Sequence, residues 1–187
     1  MDKYSDIPFE IDGEITKNEL KGVLKEAVYR LYTKDGYLIK NGPASPKCSD
    51  NHVCERACLF RFAHYLQNIL DEKEVLRNLV VDCEYNRNGY DLKRLSAFAN
   101  GTYPDLIIHH RGDNKGNFLV MEIKSWWNKD INQDKKKIKA FMDKNEGYNY
   151  RFGIVLLFEE TMEETSDKID SGLLSITDTE KSDWFFI

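Results

Sequence analysis

The chain has 187 residues, of which 41% are hydrophobic and 32% are charged, and its formal net charge is −5. This length and composition suit one globular domain with a sizeable core, and they exclude an intrinsically disordered protein. The N-terminus lacks a basic segment followed by an apolar run, and no apolar stretch approaches the ~20 residues that a membrane helix requires. We therefore expect a single cytoplasmic domain that does not enter a membrane.

The charge is distributed unevenly along the chain. Residues 159–187 contain nine acidic and two basic residues, so this segment has a net charge of −7 and the remaining residues carry a net charge of +2. Six lysines lie between positions 124 and 139, opposed by Asp130 and Asp134. A lysine run of this kind is typical either of a solvated helix face or of a surface that binds phosphate.

Two helices are predicted in the first part of the chain. Thr16 and Glu19 have the spacing of a capping box, and apolar residues follow at helical intervals until Asp35. A loop rich in glycine, proline and serine occupies residues 41–52. The second helix is predicted from about residue 53 to residue 70. Glu55 lies in its first turn, where it is either a favourable N-terminal acid or a side chain that leans toward a site.

The centre of the chain predicts a sheet. Residues 78–84 read as a strand, and a long polar connection over residues 85–102 indicates a working loop or a short helix. Two further strands, 106–108 and 118–123, form a hairpin, and a lysine-rich helix over 131–144 precedes a buried strand over 152–158. We expect an α/β fold with a central mixed sheet flanked by helices.

Three parts of the single domain are expected. Residues 1–52 form an N-terminal helical extension, residues 53–158 the core, and residues 159–187 an acidic C-terminal segment. The chain ends in Trp184-Phe185-Phe186-Ile187. Four exposed apolar residues would be unusual, so this end is expected to pack on the body or on a partner.

The hairpin carries three charges at the strand ends away from its turn. They are Asp105 before the first strand, and Glu122 and Lys124 at the end of the second. Charge at the end of an apolar strand is costly unless it is solvated, paired or bound to a cation. Glu122 and Lys124 share one face of their strand, and Asp105 joins them only if the register places it opposite. Two carboxylates facing one point suit Mg²⁺, which prefers oxygen ligands.

The cysteines offer an alternative site. Cys48, His52, Cys54 and Cys58 lie close together in sequence and suggest a zinc-bound regulatory domain. Their spacing is not that of a CxxC pair, and Cys54 and Cys58 fall within a strong helix pattern. Buried reduced thiols are therefore the competing interpretation.

Pro104-Asp105 followed by Glu122-Ile123-Lys124 resembles the PD-(D/E)xK motif of restriction-endonuclease-like nucleases. The order of helices and strands also resembles the core of that superfamily. The stretches CERACLFRFAHYL, DCEYNRNG, YPDLIIHHRG and FLVMEIK are similar to an uncharacterised bacterial group within it. The resemblance covers roughly residues 54–158 and implies a restriction-endonuclease-like core.

The resemblance also implies a metal site. Asp105 and Glu122 would bind Mg²⁺ or Mn²⁺, and the carbonyl of Ile123 would add a ligand. Lys124 would position or activate the attacking water. Glu55 lies in the helix before the first core strand, where many such nucleases carry a further acid.

Substrate contacts are expected around that site. The candidates are three cations that could meet phosphate and one acid on the first core strand, namely Arg56, Arg61, Arg87 and Glu84. The implied activity is a metal-dependent endonuclease that hydrolyses nucleic acid, with DNA as the expected substrate, in DNA processing or defence. The alternative is a non-catalytic binding or assembly module on the same fold, which forms a homodimer or binds a protein through its C-terminal segment.

Overall fold

The structure is a computed structural model that describes residues 15–39, 55–89, 91–98, 101–112, 114–128 and 130–176. The helices in these ranges are α1 (Lys17–Asp35), α2 (Glu55–Asp71), α3 (Asn132–Met142) and α4 (Met162–Gly172). The strands are β1 (Val80–Cys83), β2 (Arg87–Asn88), β3 (Asp91–Leu92), β4 (Leu106–His109), β5 (Leu119–Ser125), β6 (Phe152–Phe158) and β7 (Leu174–Ser175). Single 3₁₀ turns cover Gly36–Leu38 and Lys144–Glu146.

The start of α1 confirms the predicted capping box. The Thr16 hydroxyl accepts a hydrogen bond from the Glu19 amide at 3.2 Å, and the Glu19 carboxylate accepts one from the Thr16 amide at 2.7 Å. Each bond satisfies an amide that the first helical turn leaves unpaired. The apolar residues that predicted the helix are buried, which fixes the face that α1 turns to the core.

Five strands form one mixed sheet in the order β1-β4-β5-β6-β7. β4 pairs antiparallel with β1 and β5, and β6 pairs antiparallel with β7. β5 and β6 run parallel because α3 carries the chain from the end of one to the start of the other. The predicted α/β class and the mixed sheet flanked by helices are confirmed.

Alternation along the strands separates two apolar layers. Leu106, Ile108 and Met121 belong to the larger cluster with α1 and α2. Ile107 and Val120 belong to the smaller cluster with α3. Successive residues of a strand point to opposite faces, so Glu122 and Lys124 lie on the α3 face with Val120.

Helix α3 packs very closely on β6. A Cβ built on Gly153 would overlap the sulfur of Met142 and the side chain of Ile138. Glycine at this position therefore lets the helix approach the strand. The close packing of α3 on β6 also sets the distance between α3 and the neighbouring strand β5, which carries the candidate site.

The C-terminal part of the fold extends beyond the core that was predicted. Residues 159–176 contain α4 and β7, and Ile169 is buried in the same cluster as α1. The Tyr32 hydroxyl on α1 bonds the Glu159 carbonyl at 2.5 Å. Although this segment is acidic overall, α4 is amphipathic. Its few apolar positions are enough to hold it on the core, because α1 and β6 cover them. The final residues 184–187 lie outside the described ranges.

The connection after β1 also differs from expectation. Within this connection, which was predicted as a working loop or a short helix, β2 and β3 form a small antiparallel hairpin of two residues per strand in which Arg87 pairs with Leu92. Within the described ranges, no helix combines the length and apolar composition needed to cross a membrane.

Candidate functional site

The register of β4 and β5 decides whether the hairpin charges meet. Leu106 pairs with Met121, and one further step places Asp105 opposite Glu122. Residues directly opposite each other share a face of the sheet, so Asp105, Glu122 and Lys124 all lie on the α3 side. This is the register that the sequence-based interpretation required.

Asp105 is tied to both neighbouring strands. Its carboxylate accepts a 2.8 Å hydrogen bond from the amide of Ile123, and its carbonyl accepts a 3.0 Å bond from the amide of Glu84. The carboxylate is therefore held beside the end of β5. Its second oxygen is left for other partners.

Glu122 is the most deeply buried charge of the site, with 1% of its surface exposed. Its Oε2 accepts a 2.6 Å hydrogen bond from Nζ of Lys137, whereas the buried Oε1 has no hydrogen-bond partner. Burial, reinforced by the nearby Asp105 carboxylate, raises the pKa of Glu122 to about 8 although Lys137 opposes the shift. A cation bound between the two carboxylates would favour the ionised form of Glu122 and so lower its pKa against both of these causes.

Lys124 is held in its charged form. Nζ lies 3.5 Å from Oδ2 of Asp134. Partial burial lowers its pKa, but the carboxylates of Asp134, Glu55 and Asp105 outweigh burial and raise it overall. A lysine that stays an ammonium donates hydrogen bonds and stabilises negative charge, and it does not act as a proton acceptor.

Glu55 reaches the site from the first residue of α2. Its Oε2 accepts a 2.9 Å hydrogen bond from the amide of Ser125, the last residue of β5. Burial raises the pKa of Glu55, and Asp105 adds to the rise, while Lys124 and the Ser125 bond oppose it. One carboxylate oxygen of this acid is therefore bonded to the strand end beside Lys124.

Two site residues on α3 were not predicted from the sequence. Lys137 binds Glu122 and Asp134 binds Lys124, so each motif charge is paired with a residue on the next helix. A signal for them exists in the sequence. Asp134 stands four residues before Ile138, and Lys137 stands four residues before Phe141, so both lie beside the stripe that packs on the sheet.

Arg56 and Glu84 lie at the rim of the site. They form a 3.1 Å ion pair in which the Arg56 side chain is 79% exposed. Arg56 adjoins Glu55 in the chain, and the Glu84 amide bonds the Asp105 carbonyl. An exposed pair of this kind contributes little to stability, so Arg56 is available to an incoming phosphate.

The other two predicted substrate contacts lie elsewhere. Arg61 donates to Asp35 at 2.7 Å and to the Tyr65 hydroxyl at 2.6 Å, so it joins α1 to α2. Arg87 lies on β2, next to a separate polar pocket. Neither arginine is brought to the carboxylates, because Arg61 is bonded to Asp35 of α1 and Arg87 lies on β2.

The zinc hypothesis falls mostly on residues that the structure does not describe, namely Cys48, His52 and Cys54. Cys58 is described, and its buried thiol donates to the carbonyl of Leu38. Cys83 is a free, exposed cysteine.

The donor set at the hairpin fits a hard divalent cation. The ligands on offer are the carboxylates of Asp105 and Glu122, including the unpaired Oε1, and the carbonyl of Ile123. Within the described ranges, no three side chains of the His, Cys, Asp and Glu type converge to hold an ion by themselves. Magnesium commonly uses one or two carboxylates and completes its shell with water and substrate phosphate.

Comparisons with protein-family models, with curated proteins and with solved structures found no match to this chain.

Proposed function

We propose that the protein is a metal-dependent phosphodiesterase of the restriction-endonuclease-like type that hydrolyses nucleic acid. The observation that carries the proposal is the buried Glu122 carboxylate, which has one oxygen without a hydrogen-bond partner and stands opposite Asp105. Lys137 compensates only the other oxygen of this buried carboxylate, and a second carboxylate beside it adds to the cost of keeping Glu122 ionised. A divalent cation is the ligand that would offset both.

Each residue of the site has a role in this proposal. Asp105, Glu122 and the Ile123 carbonyl would hold Mg²⁺ or Mn²⁺, which would supply Lewis acidity toward a water and a phosphate oxygen. The Ile123 amide orients Asp105 through its 2.8 Å bond. Lys124, kept as an ammonium, donates hydrogen bonds to the attacking water or to the phosphate.

Nucleic acid is the substrate class that the surroundings favour. Residues 1–158 carry a net positive charge, although the chain as a whole is acidic. The exposed Arg56 at the rim adds a cation at the position where a phosphate backbone would approach. We propose DNA as the substrate, with RNA as the second choice.

The activity test uses purified protein with single-stranded DNA, double-stranded DNA, circular plasmid and RNA. Each substrate is incubated with Mg²⁺, with Mn²⁺ and with chelator. Asp105→Asn, Glu122→Gln and Lys124→Met are expected to reduce cleavage by about 10²- to 10³-fold. The exposed Glu74→Gln is the control and should cleave like the unmodified protein.

Metal binding separates the roles of the three residues. In calorimetry with Mn²⁺, Asp105→Asn and Glu122→Gln should weaken binding strongly, whereas Lys124→Met should bind the ion nearly as well as the unmodified chain. Cleavage that persists in all three variants would come from a contaminant and would refute the assignment.

A non-catalytic binding or assembly module remains the second candidate, and one observation favours it. Glu122 and Lys124 are both paired with residues of α3, which is also how a structural charge network would be arranged. Absence of cleavage on every substrate, together with absence of metal binding, is the result that would select this alternative.

A further inference from the structure

The two carboxylates of the hairpin each have one oxygen committed to an N–H donor. Oδ2 of Asp105 accepts a 2.8 Å hydrogen bond from the Ile123 amide, and Oε2 of Glu122 accepts a 2.6 Å bond from Nζ of Lys137. Oε1 of Glu122 is buried and has no hydrogen-bond partner among the described residues. Within the same part of the chain, no hydrogen bond ends on Oδ1 of Asp105. Each carboxylate therefore presents one oxygen to a ligand.

The two donors differ in charge and in origin. The donor to Asp105 is a main-chain amide of β5, which is uncharged and fixed by the strand. The donor to Glu122 is the side chain of Lys137, an ammonium that carries a full positive charge. It repels a second cation that approaches the same oxygen. Oε2 of Glu122 is therefore closed to a metal ion as long as Lys137 stays in place.

Lys137 has little freedom to leave this position. Its side chain is 17% exposed, and that of Glu122 is 1% exposed. Lys137 directly precedes Ile138 and stands four residues before Phe141, and both of these apolar side chains are buried. Gly153 allows α3 to lie close to the sheet. Departure of the ammonium would leave a buried carboxylate oxygen unpaired, so we expect the contact to persist when an ion binds at Oε1.

The number of oxygens that a carboxylate offers affects the choice of ion. Ca²⁺ takes about six to eight oxygen ligands and uses carboxylates through one oxygen or through both. Mg²⁺ is smaller, requires a nearly octahedral shell and keeps several waters, so one oxygen from each of one or two carboxylates is sufficient. A glutamate limited to one oxygen meets the requirement of Mg²⁺ and withholds a ligand from Ca²⁺.

We infer that Lys137 is a positioning residue that sets the metal selectivity of the site, because it limits Glu122 to one metal-binding oxygen and thereby favours Mg²⁺ over Ca²⁺. The inference rests on the proposed function, since it requires a divalent ion at Asp105 and Glu122. Replacing a residue that hydrogen-bonds a metal ligand typically changes metal affinity about 10- to 100-fold. We therefore expect Lys137 to alter the selectivity between the two ions about 10-fold.

The test measures the dissociation constants of Mg²⁺ and Ca²⁺ by calorimetry and compares their ratio between proteins. Any cost of ionising Glu122 is the same for both ions, so it cancels in the ratio. The unmodified chain should bind Mg²⁺ at least as tightly as Ca²⁺. Lys137→Met should bind both ions more tightly and shift the ratio about 10-fold toward Ca²⁺, because Oε2 becomes available. Lys137→Arg retains a charged donor and should keep the ratio of the unmodified chain.

Lys124→Met is the matched control. Nζ of Lys124 lies 3.5 Å from Oδ2 of Asp134, which is not one of the proposed metal ligands. This substitution removes the same single positive charge from the site, but it frees no oxygen of Asp105 or Glu122. Any change in affinity should therefore be the same for both ions, and the ratio should stay constant. An equal shift of the ratio in Lys124→Met and Lys137→Met would show that only net charge matters and would overturn the inference.

Two further results would refute the role of Lys137 and leave the proposed function standing. One is an unchanged ratio in Lys137→Met with both ions bound. The other is an unmodified chain that binds Ca²⁺ about 10-fold more tightly than Mg²⁺, a result that does not depend on the folding of any variant. Thermal melting checks that each variant folds. Absence of divalent-ion binding in every protein would refute the metal site, and with it both the proposed function and this inference.

Discussion

Nζ of Lys137 donates a 2.6 Å hydrogen bond to Oε2 of Glu122, so the counter-charge of the buried carboxylate comes from helix α3. The ammonium stands beside the group that would bind a metal in the proposed function. Lys137 therefore stabilises the metal-free protein, and in the proposed function it would compete with a divalent cation for Glu122.

Replacement of this lysine tests both effects. At a pH above about 8, where Glu122 is ionised in the folded protein, Lys137→Met should lower the free energy of unfolding in chelator by about 3 kcal/mol, because it leaves a buried carboxylate without its partner. The loss should shrink when Mg²⁺ is added, and metal affinity should rise. Urea denaturation with and without Mg²⁺ measures both changes. Lys136→Met, on the exposed side of α3, is the control and should have little effect. An equal loss with and without Mg²⁺ would contradict the competition.

The pKa of Glu122 predicts a pH dependence of stability. It is about 8 in the folded protein against an ordinary value of 4.5. Between these values the folded state holds more protons than the unfolded state. The free energy of unfolding should therefore fall as pH rises from about 4.5 to about 8, by at most about 1.4 kcal/mol per pH unit.

Glu122→Gln isolates this dependence, since glutamine does not ionise. Urea denaturation in chelator at pH 5, 6.5 and 8 should show a declining stability for the unmodified chain relative to the variant. Parallel curves for the two proteins would show that Glu122 titrates normally.

Two variants of Glu55 distinguish a role of its charge in the site from a purely structural role. Glu55→Gln retains an oxygen that accepts from the Ser125 amide and removes only the charge, whereas Glu55→Ala removes both. If the charge serves the site, both variants should lose activity, and only Glu55→Ala should also lose about 1 kcal/mol of stability. Normal cleavage by Glu55→Gln would leave this residue a purely structural role. Activity assays paired with thermal melting distinguish these outcomes.

The packing of α3 on β6 supports the site from a distance. Gly153→Ala should destabilise the protein by about 1–3 kcal/mol, because the added methyl overlaps the Met142 and Ile138 side chains. The substitution should also move α3 away from the sheet and so lengthen the contacts that Lys137 and Asp134 make with β5. Gly172→Ala is a suitable control, since its Cβ would make only ordinary contacts with Ile154. Equal stability of the two variants, measured by denaturation, would refute the close approach.

Local patterns in the chain predicted most of the elements. Thr16 and Glu19 marked the start of α1, and the apolar run at residues 152–158 marked β6, because capping and periodicity depend on neighbours in sequence. Helix α4 and strand β7 were not predicted. Their acidic, weakly apolar sequence forms regular structure only because α1 and β6 cover its few buried positions.

The candidate site was likewise predicted only in part from the sequence. Asp105, Glu122 and Lys124 could be selected from the chain because charges at the ends of apolar strands demand a partner. Their convergence depended on the register of β4 against β5, which is set by pairing between strands and not by either strand alone. Lys137 and Asp134 were missed because they reach the site through the packing of a different element.

The sequence by itself determined the class of the fold, its principal helices and strands, and the three charged residues of the hairpin, since all of these follow from local periodicity and residue chemistry. Only the tertiary structure decided that Asp105 faces Glu122, that α3 supplies the partners of both motif charges, and that Arg61 and Arg87 lie away from the carboxylates. These relationships join residues far apart in the chain. They are fixed by strand register and by the distance at which helices pack on the sheet.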